Sequence, residues 1–430
     1  MHRILILGGG FGGVYAAMRL QSRLRHRPDI DVTLVSRDNY FLFTPMLPQV
    51  ATSSVDTRHI VQTIRRICPR VKLLQAEIET IDFATRTVTI SHAEGHRHQL
   101  GYDQLLLAVG GVTNYFGLPG VAEYSLPIKN LSDAIRIRNH ALDMLEQAEL
   151  EDDAALRKQL LTFVVAGAGF AGVETAAELD IFVRRAAKQY RNFTAADIRT
   201  VILDAQSRVL PELSEQLAAF TQATLEKRGM EVRMGVRVRS ADAEGIDLAD
   251  GTRIATRMFV WAGGVAPNPV IAALPCTNPR GRIEVDQNLA VPGYAGIWAI
   301  GDCAEVASAP GAKPYPPTAQ HALREGEHVA DNMIALADGK PLKPFAFTMI
   351  GQMANLGERS AVAMVGGFKI SGFPAWWLWR TYYLSRIPTL ERKIRVALDW
   401  TLDLLFSRDT VKLSMPSDVR MEDGSHGQRN

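Results

Sequence analysis

One glycine device occurs twice in this chain. Ile4-Leu5-Ile6-Leu7 runs into Gly8-Gly9-Gly10-Phe11-Gly12-Gly13-Val14, and Phe163-Val164-Val165-Ala166 runs into Gly167-Ala168-Gly169-Phe170-Ala171-Gly172-Val173. Each copy is GxGxxG between an apolar strand and an alanine-rich helix. In such a loop the first glycine permits a tight turn and the second lets backbone approach a pyrophosphate. The third lets helix pack on strand, and the helix N-terminus faces the anion. Gly8, Gly10, Phe11, Gly13, Val14 and Leu20 recur as Gly167, Gly169, Phe170, Gly172, Val173 and Leu179. A single loop of this kind is a weak signal. Two of them, each in strand-turn-helix context, predict an α/β protein that holds two dinucleotides; two loops that merely pack a sheet are the plainer alternative.

The 430 residues leave room for two or three domains and a sizeable core. A formal charge of +2 implies no bulk attraction to nucleic acid. Cys68, Cys276 and Cys303 are far apart, with no CxxC and no metal-ligand spacing. That pattern suits a reducing cytosol and predicts neither a disulfide framework nor a metal site. It also lacks the paired cysteine that a flavoprotein disulfide reductase needs. The first strand begins by Arg3, which leaves no room for a signal peptide ahead of it. No stretch reaches about 18 apolar residues free of charge or proline, so no helix is expected to span a bilayer. Any membrane contact would be peripheral, with no evident path for proton translocation.

Residues 3–36 read as strand, glycine turn, helix and strand, and residues 71–100 alternate at strand period, predicting antiparallel hairpins. Tyr102 to Gly111 reads as a buried strand entering a glycine turn through Ala108 and Gly110. The second unit runs through Thr200-Val201-Ile202-Leu203-Asp204 to a turn at Gly263-Gly264. A late strand, Ala295 to Ile300, ends at Gly301-Asp302, and a helix follows from about Thr318 to Ala337.

An acid after the second strand of such a unit normally holds the adenosine ribose. Asp204 stands there in the second copy, where its charge would repel a 2′-phosphate and favour NADH over NADPH; nearby Arg208 weakens that inference. Asp204 lies farther past Gly172 than the usual span of about 20 residues, which is attributed to a long helix through Arg191. In the first copy the position is Ser36, which offers one hydrogen bond to ribose. Asp302, at a strand end before a helix, can accept from a ribityl hydroxyl. Joined to the first glycine loop and the turn at 107–110, it predicts a split FAD domain with the NADH domain inserted. The expected division is 1–118 and 266–344 for FAD, 119–265 for NADH, 345–415 for a C-terminal region, and a disordered tail over 416–430.

Several longer runs resemble the type II NADH:quinone oxidoreductases, within the two-dinucleotide-binding flavoproteins. They are Val35-Ser36-Arg37-Asp38-Asn39-Tyr40-Phe41-Leu42-Phe43-Thr44-Pro45, Gly169 to Glu174 with Glu178, Val260 to Val265, Ala299 to Ala304, and Thr318-Ala319-Gln320. The resemblance covers about residues 3 to 412. It implies FAD as cofactor, NADH as substrate and a membrane quinone as electron acceptor. It places Arg37, Ala108 and Gly110 with the FAD residues, and Gly263 and Gly264 with the NADH residues. Thr44, Pro45, Ala319 and Gln320 would lie near the isoalloxazine, and Glu174 toward the nicotinamide, with Glu174, Gln320 and Thr44 as the catalytic candidates. A glutamate in a helix's first turn also has a plainer role, stabilising the helix dipole.

The family's AQxAxQQ pattern stands here as Ala319-Gln320-His321-Ala322-Leu323-Arg324-Glu325, a departure expected to alter contacts at the quinone tunnel. The resemblance further implies a homodimer held peripherally on the cytoplasmic side of the membrane. Leu390, Ile394, Ala397, Leu398, Thr401, Leu402 and Leu405 recur at helical spacing, with Arg392, Lys393 and Arg395 near the start and Trp376, Trp377 and Trp379 upstream. That pattern suits an in-plane interfacial helix; an apolar face buried in the core or in a dimer is the alternative. Other readings are a sulfide:quinone oxidoreductase, for which the cysteines are misplaced, a soluble reductase of a protein acceptor, and a non-enzymatic NADH sensor.

Overall fold

The computed structural model describes residues 1–92, 95–278, 280–308 and 312–412. The tail expected to be disordered lies outside the described residues. Parallel strands covered on both faces read as nearly continuous apolar runs, and the N-terminal half carries four: β1 (His2–Leu7), β2 (Ile30–Ser36), β3 (Lys72–Gln75) and β4 (Gln104–Leu107). They form one parallel sheet in the order β4-β1-β2-β3, completed on the β4 side by the late strand Ile297–Ala299. Lys72–Gln75 therefore corrects the hairpin expectation for 71–100. Its buried Leu73 extends the parallel core, and the antiparallel strands Glu77–Asp82, Thr87–His92 and His96–Gly101 begin only after it.

A second parallel sheet contains β5 (Thr162–Ala166), β6 (Arg199–Asp204), β7 (Glu231–Met234) and β8 (Met258–Trp261), ordered β8-β5-β6-β7. The chain leaves the first sheet after β4, builds the second, and returns to pair Ile297 with Leu105. Exit and return are tied where Gly111–Thr113 pairs antiparallel with Val265–Pro267. Helix α1 (Phe11–Arg23) follows the first glycine loop and α2 (Phe170–Ala186) the second. The α2 helix stops short of Arg191. Tyr190 and Phe193 stack at 5.0 Å, and Glu149 accepts the amides of Arg191 and Asn192. Those contacts turn the chain out of the helix, so a short 3₁₀ turn and a loop supply the extra length before Asp204.

Helix α3 (Ala319–Ala337) runs from an N-cap at Thr318, whose Oγ1 accepts from the amide of His321. Beyond it, Gly351–Asn355, Ala361–Val365 and Phe368–Gly372 form an antiparallel sheet that leads into α4 (Phe373–Arg386) and α5 (Leu390–Leu405). Proline at the start of α4 is compatible with a first helical turn. Trp379 and Trp400 join the two helices at 5.9 Å, and the Arg380 guanidinium lies over both Trp376 and Trp400, at 4.0 and 4.9 Å. Burial pulls the Arg380 pKa down to about 10.

Past α5 the chain is fastened to α2 by a buried ion pair, Arg408 to Glu178 at 2.8 Å, with Asp403 on the same guanidinium at 2.8 Å. Removing one member of such a set leaves charges buried without a partner, which costs about 3–5 kcal/mol. Arg408→Met is therefore expected to lower the unfolding free energy measured in urea by that margin, and Glu178→Gln added to it to recover part of the loss. Equal midpoints for wild type and Arg408→Met would show that the pair carries no stability.

Candidate active site

Both glycine loops have the same covalent logic. Gly8 and Gly167 adopt φ of +115° and +109°, where a side chain is strained. A Cβ on Gly13 would lie 1.9 Å from the Gly8 carbonyl oxygen, and one on Gly172 would lie 1.8 Å from that of Gly167. Nothing stands within 4 Å of the Cβ position at Gly10 or Gly169. Each loop thus closes tightly on its own helix and leaves its middle glycine facing open space, a cradle that a side chain would fill.

The first loop opens on a cavity of about 760 Å³. Gly8, Gly10, Phe11, Ser36, Arg37, Thr44, Ala108, Gly110, Gly301, Asp302 and Ala319 line it. Gly13 sits behind, in the helix seat. The cavity lies in the range of cofactor pockets, and its donor set of loop amides, a serine hydroxyl and the Asp302 carboxylate fits the pyrophosphate and polyol parts of FAD. Lys129 holds Asp302 at 3.1 Å.

In the second loop Asp204 accepts from the Ala168 amide at 2.5 Å and from the Gln206 amide at 2.7 Å. The carboxylate is fixed at the mouth of the loop. Arg208 is turned away from it, donating to the carbonyls of Pro211 and Leu213 at 2.9 and 3.1 Å. Gly263 abuts the loop, its amide nitrogen 3.0 Å from where a Gly167 Cβ would stand, and Phe116 packs over Gly264.

A second cavity of about 470 Å³ adjoins the first and gathers Thr44, Pro45, Phe170, Glu174, Ala319 and Gln320 with Tyr15, Tyr383 and Arg386. Phe11, Thr44, Lys129, Pro317, Thr318 and Ala319 line both cavities. Gln320 donates to the Gly351 carbonyl at 3.0 Å, which fixes its amide plane. Glu174 is buried and accepts from the Asn355 amide at 2.7 Å and the Trp379 indole at 3.1 Å. Desolvation pushes its pKa up to about 8, so below that pH it is a neutral acid, which would contribute little to a helix dipole.

The Arg324-Glu325 departure falls elsewhere. Glu325 is buried and accepts from the Gly301 amide at 2.7 Å, while Arg324 lies 5.6 Å over Phe347 and 3.8 Å from Glu327. Among the described residues lining the second cavity neither is present. Glu325 acts behind the Gly301-Asp302 turn, on the side of the first cavity. His321 stacks on Tyr315 at 4.9 Å and meets the Thr318 hydroxyl at 2.8 Å, and burial lowers its pKa. Among the described residues no cysteine lines either cavity and no cluster suited to a metal ion occurs. Sequence reasoning missed Lys129 and Tyr15, which stand in no motif of their own, and read Trp379 as part of an interfacial aromatic stretch, whereas it is buried with its indole on Glu174.

Two glycine-loop sheets, one inserted in the other and converging on a shared pair of cavities, define a two-dinucleotide flavoprotein. The family model for pyridine nucleotide-disulphide oxidoreductases matches residues 2–326, and that for the NDH2 C-terminal domain matches residues 350–409. The chain is similar to the type II NADH:quinone oxidoreductase Ndh of Mycobacterium tuberculosis, 34% identical over 95% of this chain and 89% of that protein. It is 33% identical to NdhA of the same organism, over 94% of this chain and 87% of the relative. In fold it is similar to NDH2 from Plasmodium falciparum in complex with NADH, with a TM-score of 0.88 at 21% identity, covering 96% of this chain and all of that one. The sulfide:quinone oxidoreductase of Aquifex aeolicus follows at a TM-score of 0.71 and 17% identity, covering 96% of each chain. The chain belongs to the type II NADH:quinone oxidoreductases.

The contrast between glycines gives a paired test. Gly172→Ala forces a methyl onto backbone and should cost about 3 kcal/mol in thermal or urea unfolding. Gly169→Ala should stay within about 1 kcal/mol of wild type yet raise the KM for NADH roughly tenfold by filling the cradle. Equal KM values for Gly169→Ala and wild type would remove the second loop from NADH binding.

Proposed function

We propose that the first loop and cavity hold FAD with its ring across Phe11, Thr44, Lys129, Pro317, Thr318 and Ala319, that NADH docks on the second loop, and that quinone enters the second cavity. The observation that carries this reading is the set of six residues common to both cavities, the one place from which a planar ring reaches both. FAD, when bound, accepts hydride from the nicotinamide and passes two electrons to quinone, and the protein supplies position and charge. Helix α1 aims its N-terminus at the pyrophosphate, and Asp302 accepts from the ribityl chain. Asp204 accepts from the adenosine ribose and disfavours a 2′-phosphate, which selects NADH. In this division residues 1–118 and 266–344 serve FAD, 119–265 serve NADH and 345–415 serve the acceptor side.

Quinone reduced by two electrons also takes up two protons. Glu174 holds one at the wall of the second cavity, and Gln320 presents a fixed amide to the ring oxygen. Tyr15, Phe170 and Tyr383 keep that wall apolar and exclude water. Anaerobic NADH is expected to bleach the flavin and quinone to restore it; a flavin that NADH leaves oxidised overturns the reading. Because Glu174 is protonated only below about pH 8, reoxidation by a soluble quinone should slow as pH rises through that value. Glu174→Gln, which has no proton to give, should be slower and flat across it. A Glu174→Gln profile matching wild type would assign the proton to another group.

The acceptor side is proposed to rest on a membrane surface, peripherally and on the cytoplasmic face. On α5 only Val396 and Trp400 are buried, while Leu390, Ile394, Leu398, Leu402 and Leu405 are exposed, with Trp377 and Phe373 of α4 beside them. Arg392, Lys393 and Arg395 sit at the start of the same helix. Among the described residues no helix is long and apolar enough to cross a bilayer. Leu398→Glu with Leu402→Glu is expected to abolish flotation with anionic vesicles while leaving turnover of a soluble quinone intact. Unchanged flotation, or loss of a dimer in light scattering instead, would assign the face to a second copy of the chain.

A further inference from the structure

Of the six side chains shared by the two cavities, five are uncharged and one is Lys129. It stands on the stretch just before helix Leu131–Leu150, where Pro127 pairs in parallel with Trp261 of the second sheet. Its partner Asp302 belongs to the first unit, at the turn after Ile297–Ala299. The Lys129-Asp302 contact at 3.1 Å therefore bridges the inserted unit and the FAD unit. Asp302 lines only the first cavity, whereas Lys129 lines both. The pair is a fixed dipole whose positive end faces the junction and whose negative end faces the polyol side.

We propose that Lys129 is the residue that sets the reduction potential of the bound flavin, its ammonium stabilising the negative charge that the ring gains on reduction. This rests on the placement of the ring proposed above. The balance of charge supports it. Hydride from NADH brings two electrons and one proton to the ring, so the reduced ring carries one more negative charge than the oxidised ring until a further proton arrives. A cation fixed beside it in a partly desolvated site lowers the energy of the reduced form more than that of the oxidised form. Burial raises the pKa of the buried acids around the two cavities, Glu174 to about 8 and Glu325 to about 7, and in the same direction that of Asp133, which accepts from the Lys129 amide at 2.9 Å, so each carries less negative charge than a solvated carboxylate would. Asp302 offsets part of the charge, from the far side of the ammonium.

The test is a potentiometric titration of the holoenzyme with dithionite and mediator dyes, without NADH or quinone, on wild type, Lys129→Gln and Lys129→Arg. Lys129→Gln should favour the oxidised flavin by about tenfold, equal to about 30 mV for a two-electron couple, and Lys129→Arg should restore most of it. A Lys129→Gln potential equal to wild type overturns the proposal, as does a Lys129→Arg potential shifted as far as that of Lys129→Gln. Should Lys129→Gln release its flavin on purification, the same quantity is read from the dissociation constants of oxidised and dithionite-reduced FAD. Selective weakening of the reduced form supports the assignment; equal weakening of both overturns it and makes Lys129 an anchor only. Failure of the functional reading itself would show separately, as wild-type flavin that dithionite reduces and NADH does not.

Discussion

The site depends on two helices that meet backbone to backbone. Gly326 of α3 lies against Gly12 of α1 so closely that a Cβ on Gly326 would stand 2.3 Å from the Gly12 carbonyl oxygen. A Cβ on Gly12 would in turn strike Ile300 at 2.8 Å. Arg19 and Asp331 close the same interface at 2.7 Å. Residues far apart in the chain are thereby held at a fixed depth and angle, since a close-packed contact has little freedom to slide. With α3 seated there, its first turn delivers Ala319 and Gln320 to the junction of the cavities. The residue before Gly326 must then face the turn at Gly301, which is where the Glu325 carboxylate is found accepting an amide. A glutamate at that position reads as part of the seat rather than as part of the second cavity's wall.

Charge is arranged around this seat by burial as much as by sign. Glu174 and Glu178 are one turn apart on α2, yet their surroundings separate them. Glu178 meets the buried Arg408 at 2.8 Å. Glu174 has only an amide and an indole for partners, and desolvation keeps it an acid. Asn355 bridges the two, its amide nitrogen on the Glu174 side and its side chain donating to Glu178 at 2.8 Å. Two carboxyls of one helix thus meet different surroundings, one paired with a guanidinium and one desolvated, the usual route by which a fold separates structural from chemical acids. The C-terminal region supplies Asn355, Trp379 and Arg408 as partners of these two acids, and Gln352, Met353, Tyr382, Tyr383 and Arg386 to the wall of the second cavity.

The legible parts of the molecule were those written locally. The glycine loops, the apolar strands beside them, the helix from about Thr318 and the α5 stripe each need only a short window of sequence, because turn sterics and helical period act over a few residues. Even the inserted order of the two units followed from Gly301-Asp302 coming so late. What stayed hidden depends on partners distant in the chain. Lys129 is one lysine before one helix until Asp302 is brought to it, and Tyr15 and Tyr383 are core-like aromatics until a cavity opens between them. The Lys72–Gln75 strand was misread because Leu73 and Leu74 are too few to separate parallel from antiparallel pairing by pattern. Helix α2 was drawn too long because what ends it is not a glycine or proline but Glu149, reaching over from helix Leu131–Leu150.

The α5 helix shows how polar contacts can aim an apolar face. It has 16 residues and buries two of them, and an isolated helix of that length is marginal in water. Its polar anchors are His59 to Asp399 at 2.5 Å, Arg66 to Glu391 at 2.8 Å, and the Trp400 indole to Gln49 at 3.3 Å. These fix the helix about its own axis with the leucine row outward. Full burial of one such side chain is worth about 1.5–3 kcal/mol, so five of them left in water represent a free energy comparable with the whole stability of a typical domain, about 5–15 kcal/mol. A helix held this way by hydrogen bonds and ion pairs, against the preference of its own side chains, is oriented for contact with a second apolar phase. The same anchors reach the segment that carries Thr44 and Pro45, so whatever covers the face also bears on the wall of the second cavity.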